Sequence, residues 1–290
     1  MAVEWARQGR VEVPDGQVAY GVVGEGERTV LTLHGGPGVP SQYLYSMADL
    51  ASDGLRVVFY DQLGCGKSDK PDNPALWTLE HFVAEVEAVR TGLDLGQVDI
   101  WGHSCGGVLA QEYALAYPDA LRTLCLASTI CSAPFHRQEL LRLIEAFPEE
   151  SAAPLREAHK GGETTSPRYR AASEKFWDRH VCLIPTPPEV QSSVDELATE
   201  VLETMWGPDD VAMRGRLADW EAGDRISAIE VPTLVTVGVH DSLTPASSRM
   251  IAERIPNSEL VMFENSSHHA HWEERERYVE VVRSFLEAHP

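Results

Sequence analysis

Gly102-His103-Ser104-Cys105-Gly106 is the stretch that decides the fold of this chain, because it joins an apolar segment to a helical one. The residues before it, 98–101, have the composition of a short buried strand, and the residues after it, 107–113, have helical spacing. A strand, a tight turn and a helix in this order predict a nucleophile elbow with the serine at its apex. Small flanking glycines are needed where strand and helix approach closely. An ordinary turn serine is the alternative.

Strands and helices alternate on both sides of this turn. Short apolar segments, mostly rich in β-branched residues, predict strands at 17–22, 29–33, 56–60, 98–101, 121–127, 233–237 and 259–263. Helical spacing is clearest at 78–93 and 105–117. This alternation predicts an α/β fold with a mostly parallel central sheet and helices on both faces.

The alternation breaks after residue 131 and resumes near residue 229. The segment between shows helical spacing but no clear strand, with candidate helices at 139–147, 168–181 and 190–205. Two further helices are predicted near the end of the chain, at 246–254 and 276–288. We therefore predict a catalytic core formed by residues 1–131 and 229–290, interrupted by a helical cap, or lid, of residues 132–228.

Composition and charge exclude several function classes. The formal net charge of −21 argues against nucleic acid or an anionic membrane as a partner, because both would be repelled. The first residues lack the basic and apolar regions of a secretory signal, and no apolar run approaches the length of a membrane span. Five scattered cysteines without C-x-x-C spacing predict free thiols in a reducing cytoplasm. The oligomeric state is left open.

Serine acyl transfer needs a base and an acid that orients the base, and both have candidates downstream of Ser104. Asp241 follows the predicted strand 233–237, and His268 follows the strand 259–263. Because the carboxyl ends of parallel strands share one edge of a sheet, these side chains are expected to converge there. Asp241 as a mere turn cap remains an alternative. His269 and His271 compete with His268, which we prefer because it lies closest to the strand end.

The oxyanion donors are predicted to be backbone amides. The segment 33–38 reads Leu-His-Gly-Gly-Pro-Gly after a strand, and its glycines let the backbone approach a bound carbonyl. We assign the donors to the N–H groups of Gly36 and Cys105, the second at the start of the helix behind the serine. A phosphate-binding loop is the alternative, but the segment lacks the spacing and the lysine of such loops.

These segments resemble the proline iminopeptidase family of α/β-hydrolases. The resemblance rests on residues 34–38, 60–69, 102–107, 236–245 and 265–274, together with cap segments 176–182 and 205–210. It is closest to the branch of the tricorn-associated aminopeptidase and the amino-acid amidases. The chain order serine, aspartate, histidine is also that of the α/β-hydrolases. The resemblance implies the α/β-hydrolase fold.

It also implies an activity and a substrate site. The expected reaction removes an N-terminal residue, often proline, from a short peptide or amide, through an acyl-enzyme. Carboxylates of the cap and loops hold the free amine in that family, since a buried ammonium needs a paired anion. Substrate contacts are accordingly expected at Gly35, Trp206, Asp210 and Ser242. The family often has glutamate where this chain has Asp210 and Ser242, and an aromatic residue where it has Cys105.

Two other functions stay open on the sequence. The replacements at Ser242 and Cys105 suit an esterase, a lactonase or a biosynthetic acyl-transfer enzyme whose substrate has no free amine. A binding protein that keeps the fold without catalysis is the third reading. No cofactor and no metal are predicted, because the histidines lack H-E-x-x-H spacing. The expected partner is a small-molecule or short-peptide substrate.

Overall fold

One mixed sheet forms the centre of the protein in the computed structural model, which describes residues 3–52 and 54–290. Within those residues the sheet has eight strands in the order β1-β2-β4-β3-β5-β6-β7-β8. In chain order they are β1 (Arg7–Val13), β2 (Gly16–Val23), β3 (Arg28–Leu33), β4 (Leu55–Tyr60), β5 (Val98–His103), β6 (Leu121–Ala127), β7 (Thr233–Gly238) and β8 (Ser258–Phe263). β1 and β2 pair antiparallel, β2 is antiparallel to β4, and every pairing from β4 to β8 is parallel.

Helices cover both faces of this sheet. They are α1 (Leu79–Gly92), α2 (Cys105–Ala116), α3 (Ala133–Glu145), α4 (Glu149–His159), α5 (Pro167–His180), α6 (Pro188–Asp195), α7 (Thr199–Met205), α8 (Pro245–Arg254), α9 (Ala270–Glu273) and α10 (Arg275–Ala288), with a long 3-10 helix at Ser41–Leu50. Two apolar clusters lie on opposite faces, so that the neighbours Val30 and Leu31 of β3 belong to different clusters. β5 and β7 are buried along their whole length, as strands covered on both faces are expected to be.

The predicted strands are all present, and the predicted α/β fold with a mostly parallel central sheet and helices on both faces is confirmed. The sequence reading missed β1, an edge strand in which only Val11 is buried. It also missed the 3-10 helix Ser41–Leu50 and helix α4, which contains Pro154. Helix α1 is capped at its start by Thr78, whose hydroxyl accepts a hydrogen bond from the His81 amide.

The segment 132–228, described throughout, contributes helices α3 to α7 between β6 and β7. A single bridge between Ser132 and Glu221 joins the two ends of the segment. Helix α6 packs on the 3-10 helix Ser41–Leu50, which places the segment over the carboxyl ends of the strands. The predicted helix 190–205 is broken into α6 and α7, because the Ala198 amide donates to the Gly38 carbonyl at 2.8 Å.

The division into a core and a cap with the predicted boundaries stays a prediction. Residues 1, 2 and 53 of the predicted core lie outside the described residues, and so do the first two residues of the segment judged to lack a secretory signal. In the part of the chain that is described, none of the helices combines the length and the apolar character needed to cross a bilayer.

Candidate active site

Ser104 occupies a sharp turn between β5 and α2. Its backbone has φ +57° and ψ −125°, a conformation that non-glycine residues adopt rarely and that is held where the surroundings force it. The Ser104 amide donates to Ala127 and its carbonyl accepts from the Thr129 hydroxyl at 2.7 Å. The flanking glycines are sterically required, since a Cβ at Gly106 would lie 2.0 Å from the Leu33 carbonyl oxygen. The turn therefore presents the hydroxyl at the carboxyl edge of the sheet.

Two backbone amides beside Ser104 are free to bind an oxyanion. Within the described residues, neither the Gly36 nor the Cys105 amide donates a hydrogen bond. Gly36 has φ +109°, in the region that favours glycine. Gly35 lies against the elbow, where a Cβ would come within 2.8 Å of the Ser104 Cβ. Burial raises the pKa of the Cys105 thiol, which keeps it protonated and leaves the serine hydroxyl as the nucleophile at the turn.

Asp241 and His268 are paired at the same edge. Asp241 follows β7, and its Oδ1 lies 2.9 Å from His268 Nδ1 and accepts from the Leu243 amide at 2.8 Å. Burial opposes charge on both groups, but their mutual attraction outweighs it: the pKa of Asp241 is lowered and that of His268 is raised. His268 lines the same cavity as Ser104, although no hydrogen bond joins their side chains within the described residues. Such bonds often tighten only when substrate binds.

The neighbouring histidines do not share this carboxylate. Burial lowers the pKa of His103 to about 3 and places the pKa values of His269 and His271 well below their usual range, so all three rings are neutral. His103 Nε2 lies 2.8 Å from the His268 carbonyl oxygen, and its ring centroid is 4.6 Å from that of His268. Only His268 of the four contacts Asp241, which supports its assignment as the base.

The cavity in front of Ser104 has a volume of about 190 Å³ and a mostly apolar lining. Its walls come from the oxyanion loop, the elbow, the 3-10 helix and the segment 132–228: Gly36, Val39, Tyr43, His103, Ser104, Trp177, Val181, Val190, Val194, Leu197, Leu202, Pro208, Asp209, Asp210, His268 and His269. Two adjacent carboxylates, Asp209 and Asp210, are the acidic groups of this wall. An apolar pocket with one anionic wall suits a substrate that carries a single positive charge near an uncharged body.

The two carboxylates have different surroundings. Asp209 is engaged by the chain itself, because it accepts from the Tyr169 hydroxyl and from the Val211 and Ala212 amides. Asp210 makes no such bond within the described residues. It is exposed, and it lies on the lining of the cavity. The surrounding protein and the charge of Asp209 together raise the pKa of Asp210. Asp210 is therefore the carboxylate available to a cationic ligand.

Three predicted substrate contacts lie off the cavity wall. Trp206 is buried and packs on His136, with ring centroids 5.7 Å apart. The Ser242 hydroxyl turns toward the Asp241 carboxylate at 3.5 Å. Gly35 donates its amide to the Tyr43 hydroxyl at 2.7 Å, beneath the elbow. Of the four predicted contacts, the structure places only Asp210 on the lining.

Sequence reasoning also missed residues that line the cavity. Trp177 was assigned to a helix and to a cap segment that resembles the family, but not to the substrate site. Tyr43 lies in the 3-10 helix that was not predicted. Asp209 carried a signal, since it adjoins Asp210 in an acidic stretch. Nothing local marked Tyr43, because its place depends on the packing of the 3-10 helix beside the triad.

Comparisons with known proteins agree with this geometry. A family model described as alpha/beta hydrolase fold matches residues 28–275. Proline iminopeptidase of Saccharolobus solfataricus is 38% identical over 265 residues, which are 90% of this chain and 85% of that protein. The crystal structure of proline iminopeptidase from Mycobacterium smegmatis superposes with a TM-score of 0.91 at 32% identity, covering 98% of both chains. The crystal structure of VinJ gives a TM-score of 0.94 at 34% identity, covering 99% of this chain and 100% of VinJ.

Proposed function

This chain belongs to the proline iminopeptidase family of α/β hydrolases, and on that premise we propose that it is a serine aminopeptidase or amino-acid amidase. It releases an N-terminal residue, proline or another small residue, from short peptides or amino-acid amides through an acyl-enzyme. The observation that carries this proposal is the cavity. Ser104, His268 and Asp210 all line it, and the Asp210 carboxylate is available to a ligand.

Asp210 sets the position of the substrate in this proposal. The free amine of the N-terminal residue pairs with the carboxylate, and the small apolar body of that residue fills the space toward Ser104. Pairing with a cation also stabilises the ionised form of Asp210, whose pKa is raised in the free protein. A fixed distance from the amine to the scissile carbonyl then limits cleavage to the first residue of the substrate.

Acylation uses the triad and the two free amides. His268 accepts the Ser104 proton as the serine oxygen bonds to the substrate carbonyl carbon, and Asp241 stabilises the imidazolium that forms. The carbonyl oxygen becomes an oxyanion and accepts hydrogen bonds from the Gly36 and Cys105 amides. As the tetrahedral intermediate collapses, the C–N bond breaks and the leaving amine takes the proton from His268.

Deacylation repeats these steps with water. His268 removes a proton from a water molecule, whose oxygen attacks the ester carbonyl of the acyl-enzyme. The second oxyanion is held by the same amides. Cleavage of the C–O bond returns the proton to Ser104 and frees the amino acid as a carboxylate.

The alternative substrate class has its own support. Most of the cavity wall is apolar, which suits an uncharged acyl group as found in esters and lactones. The Cys105 side chain borders a separate small pocket of about 10 Å³, shared with Leu109 and Met205, which has room for about one water molecule and for no acyl group. An esterase, lactonase or acyl-transfer enzyme therefore remains the second candidate.

The experiment that separates these functions is a substrate panel. We expect hydrolysis of prolyl and alanyl arylamides with a free amine, and loss of turnover when the same substrates are N-acetylated. Asp210→Asn should lower kcat/KM on the free-amine substrates by at least about tenfold, since a charge-assisted contact is lost. Asp178→Asn, which removes an exposed acid of α5, is the matched control. Equal rates on free and acetylated substrates would defeat the aminopeptidase proposal, and turnover of esters or lactones alone would establish the alternative.

A second measurement addresses the binding-protein reading. A fluorophosphonate should label the wild-type protein covalently and should not label Ser104→Ala. An unlabelled wild-type protein of correct fold would favour binding without catalysis.

We also propose a cytoplasmic location and a small-molecule or short-peptide substrate as the partner. The five cysteines are buried and unpaired, which is typical of reducing compartments and supports this location.

A further inference from the structure

Three imidazole rings are packed together directly behind the catalytic base. His103, His269 and His271 each offer one ring nitrogen, and these three atoms lie within 4.8 Å of one another. Their ring centroids are 4.9 to 5.6 Å apart. We call this group the three-histidine cluster. The triad uses none of these three rings for proton transfer in the mechanism above.

Two nitrogens of the cluster have no partner among the residues that the structure describes. His269 Nδ1 and His271 Nε2 are buried and accept or donate no hydrogen bond within 3–52 and 54–290. The two residues are only 6% and 1% exposed. A buried polar nitrogen without a partner destabilises the folded protein, so such atoms call for a ligand.

The opposite nitrogens of two rings are already anchored. His271 Nδ1 lies 2.7 Å from the Ser46 hydroxyl, and His103 Nε2 lies 2.8 Å from the His268 carbonyl. Metal-binding histidines typically donate their other ring N–H to a carbonyl or hydroxyl oxygen in this way, which fixes the ring and its tautomer. The anchoring leaves Nε2 of His271 and Nδ1 of His103 for a ligand. His103 Nδ1 makes a contact of 3.2 Å with the Tyr43 hydroxyl, the longest of these bonds.

The cluster is also accessible from the active site. His103, His269 and Tyr43 line the cavity that contains Ser104, whereas His271 is buried and is not one of the lining residues. An ion that enters the cavity therefore reaches two of the three rings without any movement of the sheet.

We propose that the three-histidine cluster binds one divalent first-row transition ion, Zn²⁺ being the best match, with the fourth position open to the cavity. Neutral imidazole nitrogens are preferred ligands of such ions, and three of them with one open position form a familiar zinc arrangement. Zn–N bonds of about 2.0–2.1 Å require the rings to close in slightly by side-chain rotation. Tyr43 gives up its contact with His103 and keeps its bond from the Gly35 amide.

Binding at this position inhibits the enzyme. The ion adds positive charge beside His268, whose ring centroid lies 4.6 Å from that of His103. The open position of the ion faces the cavity that contains Ser104, so the bound ion and its water occupy space that the substrate needs. We expect saturating Zn²⁺ to lower kcat at least about tenfold, with full recovery after EDTA.

Direct metal binding is the test, and it does not depend on the substrate. Equilibrium dialysis of the full-length protein against Zn²⁺ should give one tightly held ion per chain. With Cu²⁺ as the probe, electron paramagnetic resonance should show coupling to imidazole nitrogens. Less than a tenth of an ion per chain, or a copper spectrum without nitrogen coupling, would overturn the proposal whether or not the aminopeptidase activity is found.

Matched variants locate the ion. His271→Gln should weaken Zn²⁺ binding at least tenfold, and His289→Gln, near the end of the chain, should leave it unchanged. Inhibition is compared with the metal-free rate of each variant, because His271→Gln alters the packing beside the site. Unfolding in urea confirms that each variant is folded. Equal affinity of wild type and a folded His271→Gln would show that the ion binds elsewhere.

Discussion

At the scale of single residues, the identity of the base is decided by one hydrogen bond. Three histidines lie within the four positions 268–271 after β8, and the ring of His269 contacts the rings of both His268 and His271. Only His268 reaches the Asp241 carboxylate, at 2.9 Å. The sequence favoured His268 as the base because it lies closest to the end of the strand. The hydrogen bond to Asp241 is the physical reason for that choice, and it is visible only in the structure.

Removal of each ring should separate their roles. We expect His268→Ala to lower kcat by at least about four orders of magnitude, as for triad members elsewhere, because Ser104 loses its base. His271→Ala should have a far smaller effect on kcat in buffer that contains EDTA. The measurement is steady-state hydrolysis of a prolyl arylamide by folded protein. If His271→Ala shows the large loss and His268→Ala does not, the assignment is wrong.

The pH dependence of activity should report the Asp241–His268 pair. His268 acts as a base only when neutral, so kcat/KM should fall as the pH drops through its pKa, which lies above the usual 6.5 because of Asp241. Asp241→Asn removes the carboxylate and should move this acid limb to lower pH while lowering the maximal rate. Comparing both proteins on one substrate cancels the titration of the substrate amine. An acid limb that stays in place or moves to higher pH would contradict this account of the pair.

At the scale of elements, the elbow depends on how closely α2 approaches β3. Gly106 lies in the first turn of α2, and its missing side chain leaves room for the Leu33 carbonyl. Alanine normally favours a helix over glycine by about 0.5–1 kcal/mol, so any loss at this position reflects steric conflict.

We expect Gly106→Ala to lower the free energy of unfolding by about 3 kcal/mol, because the new methyl meets rigid backbone. Gly54→Ala is the control, since a Cβ there meets no atom within 4 Å. Urea denaturation measures both changes. Equal urea midpoints for the two variants would show that α2 can move away from β3 without loss of stability.

The elements that sequence patterns could not predict were shaped by distant contacts. β1 is mostly polar because it lies at the sheet edge, so apolar alternation is weak there. The helical spacing of apolar residues in 190–205 does not show the break between α6 and α7. That break comes with the hydrogen bond from the Ala198 amide to the Gly38 carbonyl, which forms only when this segment packs on the oxyanion loop. By contrast, the buried strands and the residues of the triad follow from local composition and from chain order. The cavity wall could not be derived, because it depends on how the segment 132–228 sits on the sheet.

At the scale of the whole molecule, one ion pair joins distant parts of the chain. Arg28, at the start of β3, binds the buried Asp99 of β5 through two nitrogens, at 2.6 and 2.8 Å. The same guanidinium donates to the carbonyls of Leu286 and His289. Arg28 thus connects the centre of the sheet to the end of α10.

Arg28→Met should reduce the free energy of unfolding by about 3–5 kcal/mol, because Asp99 is left buried without its cation. The control Arg142→Met removes an exposed guanidinium that pairs with Glu139 within one helix and should cost less than about 1 kcal/mol. Chemical denaturation followed by circular dichroism checks both values. A loss at Arg28 no larger than the loss at Arg142 would show that Asp99 finds another partner.

The strand order has a consequence for the growing chain on the ribosome. From β3 outward, strands β5, β6, β7 and β8 join one edge in the order in which they are synthesised. The nucleophile and the oxyanion loop are complete by residue 105, whereas the base comes after β8, the last of the described strands. A nascent polypeptide therefore holds a serine that stays chemically inert until the loop that carries His268 has been synthesised. A fragment that stops before Ser258 should bind ribosome-associated chaperones rather than react with a fluorophosphonate.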